Sequence, residues 1–138
     1  MTRVLHMPTE LDQLDGMVAQ LTELASPTLS EDKLTSFEIA VMEALTNAVQ
    51  HAISPAPDKP VAITIDVQPD RVRVVIFDAG ARAPDDLYDN VPQPHEIDEM
   101  SESGRGIPLI SMLADDVLFQ PGEGGNRLQM VFNKDPSP

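Results

Sequence analysis

Glu43, Asn47 and His51 stand four residues apart in the stretch EALTNAVQH, set among Ala, Leu and Val. A carboxylate, an amide and an imidazole in one file are groups that hold a ligand or move a proton. At 3.6 residues per turn they fall within about 80 degrees of one another on one side of a helix. The other side is apolar: Phe37, Val41, Leu45, Ala48, Val49 and Ala52. Taken alone, the triplet reads first as the solvated face of that helix. Its neighbours Ile39, Ala40 and Ala44, however, are not the long charged residues of open surface. Small side chains beside polar ones leave room for something to pack close.

Two further stretches carry possible chemistry. Asp78 and Gly80 stand at the exit of VVIFDAG, where a lone Asp-x-Gly is common turn chemistry. Ser103-Gly104-Arg105-Gly106-Ile107 opens a predicted helix. Glycines there allow close backbone approach, and the free N–H groups of a helix start bind phosphate. The stretch is neither a Walker A loop, since no Gly-Lys-Ser/Thr follows, nor a dinucleotide fingerprint, since the third glycine is missing.

The elements that must position these residues follow from periodicity and breakers. Arg3 to Met7 alternates as a short strand. Thr9 is expected to cap a first helix, with Asp12 three residues on and Leu11, Leu14, Val18, Leu21 and Leu24 at helical spacing. Ser26-Pro27 ends it. Ser30 caps a second helix, with Glu31 and Asp32 in a first turn that favours negative charge, running to about Ile53. VAITIDVQ and RVRVVIFDAG alternate with period two around a Pro69-Asp70 turn and predict a hairpin. Residues 81–103, proline-rich and acidic, read as a long surface loop of the kind that is often a functional lid. A helix in GIPLISMLAD follows, then strands VLFQ and RLQMVF joined by a turn at residues 121–125. Strands clustered beside helices favour an α+β fold, a two-layer α/β sandwich, over a doubly wound parallel one.

Composition bounds the function. The 138 residues suit one domain, 1–138, and the hydrophobic share of 41% suits a globular one. Without cysteine there is no disulfide framework and no thiolate metal site. The start of the chain lacks the apolar core of a secretory signal, and no apolar run reaches the roughly 20 residues of a membrane span, so a cytoplasmic protein is expected. A net charge of −14 opposes direct contact with nucleic acid or anionic membrane and is compatible with a basic protein partner.

Taken in order, the motifs are specific. E-x-x-x-N-x-x-x-H on a helix, D-x-G after a strand, an acidic loop and G-x-G at a helix start resemble the N, G1 and G2 boxes of the GHKL (Bergerat-fold) ATP-binding superfamily. EALTNAVQHA with SGRGIPLI, and little added to the fold, looks most like the stand-alone anti-sigma-factor serine/threonine-protein kinases. The resemblance spans nearly the whole chain. It implies a mixed, mostly antiparallel sheet with helices covering one face, and makes residues 81–103 the ATP lid.

The resemblance also implies roles. Asn47 would ligate Mg²⁺ through its side-chain oxygen. Glu43 would be the general base that orients and deprotonates a serine hydroxyl on a partner. Asp78 would accept a hydrogen bond from the adenine amino group, and Gly80 would let the base approach the backbone. Gly104 and Gly106 would present N–H groups to the phosphates, Arg105 would offset developing charge, and Ile107 completes the nucleotide-binding set. His51 stays open between helix packing and lid contact.

ATP would be consumed and ADP released. The implied partners are a STAS-domain anti-anti-sigma protein as substrate, a sigma factor or analogous client, and a second copy in a homodimer, with Gln13 and Gln20 of the first helix on a partner surface. The alternative is a nucleotide-gated protein-binding switch with little kinase activity or with a client other than a sigma factor. Three departures from the family pattern are visible: Ala81-Arg82-Ala83-Pro84 after the G1 box, Pro108 in the helix after the G2 box, and Gly124-Gly125-Asn126 in place of the common Gly-Thr. The last puts one polar contact near the base in question.

Overall fold

The structure, a computed structural model, describes residues 1–8, 10–52, 60–78, 110–122 and 125–134. Its elements are β1 (Thr2–Met7), a short 3₁₀ turn (Leu11–Gln13), α1 (Leu14–Ala25), α2 (Glu31–Ala52), β2 (Val61–Val67), β3 (Arg71–Asp78), β4 (Asp116–Gly122) and β5 (Gly125–Asn133). Residues 110–113 form a helical turn before β4. No helix among the described residues is long and apolar enough to cross a membrane.

The five strands form one sheet in the order β1-β2-β3-β5-β4. Every pairing among them is antiparallel, so the mostly antiparallel sheet expected from the sequence is wholly so over the described strands. Period-two alternation sorts the side chains. Val61, Ile63 and Ile65 of β2, Val72, Val74 and Ile76 of β3, and Leu128, Met130 and Phe132 of β5 are buried. Cross-strand register stacks them in rows, Ile63 beside Ile76 beside Leu128 and Ile65 beside Val74 beside Met130. Arg71, Arg73 and Phe77 point the other way and are exposed. Helices therefore cover one face.

The helical stripes fill that face. Leu14, Val18, Leu21 and Ala25 of α1 are buried, as are Phe37, Val41, Leu45, Ala48 and Val49 of α2. Phe37 meets Phe132 edge to face, with ring centroids 5.0 Å apart. Ser30 caps α2 as expected, its Oγ accepting the Lys33 N–H at 3.3 Å. The start of α1 differs. Its N-cap is Gln13, which makes no side-chain cap, and the chain enters through the 3₁₀ turn, with Gln13 N–H bonded to the Glu10 carbonyl. A tight turn that satisfies its own donors replaces the side-chain cap. Thr9, the expected cap, lies outside the described residues.

The last hairpin is longer than VLFQ and RLQMVF imply. Pairing continues through Pro121 with Asn126 and Gly122 with Gly125. Pro121 is tolerated because β4 is an edge strand.

Candidate functional site

Two anchors set the direction of α2 across β3. Near its start, Lys33 Nζ pairs with Asp115, whose carboxylate also accepts the Asn133 N–H at 2.7 Å, opposite Arg71 where β3 begins. One turn later Phe37 lies on Phe132, opposite Val72. The helix thus advances in the same sense as the strand on which it packs. From the Phe37 anchor, Asn47 is about 15 Å further along α2 and Asp78 about 20 Å further along β3. Both belong to the same end of the domain.

On α2, Ala40 and Ala44 are as buried as the predicted apolar face, whereas Ile39 is exposed. Asn47 is buried, with 7% of its surface exposed, so the solvated-face reading of the triplet fails at its centre. Its Nδ2 has no hydrogen-bond partner among the described residues. An unmet amide donor in that position costs about 1–3 kcal/mol, and an oxygen-rich ligand is one way to satisfy it. Glu43, one turn earlier, is half-buried. His51 belongs to α2, but its side chain lies outside the described residues.

At the end of β3, Asp78 is buried with 7% exposure, and its cross-strand partner Asn126 with 2%. Asn126 Nδ2 donates to Asp78 Oδ1 at 3.1 Å. Gly125 adjoins this pair at φ 145, a conformation that strongly favours glycine. A Cβ there would stand 2.2 Å from the Asp78 carbonyl oxygen and 2.6 Å from the Phe77 ring. The β5 entrance is therefore built to lie against Asp78.

Asn126 is the residue whose partner sequence reasoning missed, since it stands in the departure that puts one polar contact near the base in question. Its side chain is bonded to Asp78. Its signal would have been the β3–β5 register, which no local pattern supplies. Gly80, Gly104, Arg105, Gly106, Ile107 and the lid at 81–103 lie outside the described residues.

A buried carboxylate at a strand exit, a buried amide on the neighbouring helix and an acid one turn before it keep the order of the N and G1 boxes. A sequence profile described as "Histidine kinase-like ATPase domain" matches residues 7–132. The chain belongs to that family.

Within the family, the chain is 37% identical over 98 residues to the serine-protein kinase RsbW of Bacillus subtilis, an alignment covering 67% of this chain and 61% of that protein. It is 28% identical to RsbW of Listeria innocua over 125 residues, covering 87% of this chain and 80% of the relative. The anti-sigma F factor of Geobacillus kaustophilus is 30% identical over 105 residues, covering 76% and 68%. Among solved structures, the RsbU and RsbW domains of Rv1364c from Mycobacterium tuberculosis superpose with a TM-score of 0.67, at 15% identity, over 96% of this chain and 31% of that one. The mycobacterial sensor histidine kinase MprB gives 0.56 at 15% identity, over 99% of this chain and 100% of that one. These likenesses establish the α+β fold of the family.

Proposed function

We propose that this chain is an ATP-dependent serine protein kinase that also acts as an anti-sigma factor in a partner-switching system. Its substrate would be a STAS-type anti-anti-sigma protein, and its client a sigma factor or an analogous regulator. Asn47 carries the reading: a family-typical amide that is buried, its Nδ2 without a hydrogen-bond partner among the described residues, and one turn from an acid. The RsbW and anti-sigma F names of its relatives support the kinase and client parts.

In this reading Asp78 receives the adenine amino group at the end of β3. Asn47 holds Mg²⁺ by its amide oxygen, the hard donor that ion prefers. Bound Mg²⁺ neutralises charge on the phosphate oxygens. That matters in a protein of net charge −14, whose wider field repels a nucleotide. Gly80, Gly104, Arg105, Gly106 and Ile107 complete the nucleotide site. Glu43 orients the attacking serine hydroxyl and takes its proton on a carboxylate oxygen. Phosphoryl transfer asks mainly for such positioning and charge neutralisation.

Two exposed residues, Gln13 at the N-cap of α1 and Gln20 within it, belong to the proposed partner surface of a cytoplasmic homodimer. Gln20 lines a shallow groove with Arg3, Glu23, Leu24 and Pro27 between α1 and the start of β1.

The test is transfer of labelled γ-phosphate from ATP to a serine of a STAS-domain protein. Glu43→Ala should bind ATP and fail to transfer. Transfer at the wild-type rate by Glu43→Ala would remove Glu43 as the base. Binding of ATP and partner by the wild type without transfer would leave a nucleotide-gated switch.

A further inference from the structure

We infer that the free edge of β1 is a docking surface for the β1 of a second copy of this chain, the two strands pairing antiparallel about Val4. The inference rests on the homodimer of the reading above and does not draw on its nucleotide site. β1 is one edge of the sheet and pairs with β2 alone. Met1 and Val67 exchange both backbone hydrogen bonds, at 2.9 and 2.7 Å. Antiparallel pairing alternates bonded and non-bonded pairs, so Arg3, Leu5 and Met7 also bond to β2. The N–H and C=O groups of Thr2, Val4 and His6 then point away from the sheet, and no partner meets them among the described residues. All three residues are exposed, Val4 to 58%.

An unpaired strand edge is a template for another strand, and proteins that must not pair there blunt it with proline, charge or a covering element. The opposite edge is blunted in this way, since β4 begins at Asp116 and holds Pro121. β1 reads TRVLHM, with neither proline nor carboxylate. Its outward groups are also self-complementary. About a two-fold axis at Val4, Thr2 of each copy meets His6 of the other and Val4 meets Val4, each pair exchanging both bonds. The Val4 side chains then cover one another on the outer face. Arg3 and Leu5 lie on the helical side, where Arg3 shares a groove with Gln20, Glu23 and Leu24. A second strand on this edge sends its own Arg3 and Leu5 to that side, a cation and an apolar chain toward Glu23 and Leu24.

The experiment is residue-resolved amide hydrogen exchange on the wild-type chain from low to high concentration, with sedimentation giving the mass at each. The expected result is a dimer in which the Val4 and His6 amides exchange at least about tenfold more slowly than in the diluted monomer. Val4→Pro removes the outward N–H at the axis, at an edge position that tolerates proline. It should weaken dimerisation by about tenfold or more. Val4→Thr keeps both the N–H and the strand propensity and should stay dimeric. Unfolding midpoints are measured alongside, and if Val4→Pro does not fold, the wild-type exchange decides alone. A dimer whose Val4 and His6 amides exchange as fast as the monomer's overturns this edge while the homodimer stands. A wild type that is monomeric at every concentration overturns the homodimer and this inference with it.

Discussion

Asn126 Nδ2 donates to Asp78 Oδ1 at 3.1 Å across the central β3–β5 pairing, and both side chains are buried. Residues 48 positions apart in sequence are thereby joined at the exit of β3. The strand order places β5 beside β3 in the interior of the sheet and β4 at its edge. The start of β5, at Gly125 and Asn126, thereby lies against Asp78. Two consequences can be measured by substitution.

Gly125→Ala is expected to destabilise the fold by about 2–4 kcal/mol, combining an unfavourable backbone conformation with overlap on the Asp78 carbonyl and Phe77 ring. It should weaken nucleotide affinity as well, because relief requires β5 to move away from Asp78. Urea unfolding read beside nucleotide titration checks both. An unchanged midpoint would show that β5 does not press on Asp78 as described.

Asp115 supports a prediction about acid. Burial alone would raise its carboxyl, but the hydrogen bond from Lys33, the Asn133 N–H and the Lys33 charge outweigh it and hold it below the ordinary aspartate range. A group with a lowered folded value binds fewer protons folded than unfolded. Its contribution is complete above the unfolded value of about 3.9 and is lost as pH falls through the folded one. Asp115→Asn should cost up to about 1 kcal/mol at neutral pH, since the pair is partly exposed. The gap to wild type should close as pH falls below about 3.9. A gap that stays constant from neutral pH into acid would contradict this.

Much of the frame was legible locally. The Ser30 cap, the hairpin around Pro69-Asp70 and the apolar stripe from Phe37 to Val49 follow from turn chemistry and period, and each is found. The 3₁₀ entry to α1 was not legible, because a turn that bonds its own donors leaves no capping residue to read. At the site, Glu43 and Asn47 share a helix, so spacing alone relates them. The burial of Asn47 was only hinted at by Ala40 and Ala44, and the Asp78–Asn126 bond depends on a strand order set by tertiary pairing.

Gln13, at the N-cap of α1, and Gln20, within it, are exposed. Replacing both with alanine should leave the unfolding midpoint within about 0.5 kcal/mol of wild type, as for ordinary surface changes. Affinity for the client or the STAS protein should fall by about tenfold if this face docks them. Unchanged affinity in a pull-down titration would remove α1 from the partner surface.

The central claim is a nucleotide site that depends on Asn47. Thermal unfolding of wild type and Asn47→Ala, with and without ATP or ADP plus Mg²⁺, tests it most directly. At about 100 times its dissociation constant, ligand should add roughly 2.7 kcal/mol to wild-type stability. Wild type should shift by several degrees, and Asn47→Ala should lose that shift. No shift with either nucleotide, or an equal shift in both proteins, would contradict it.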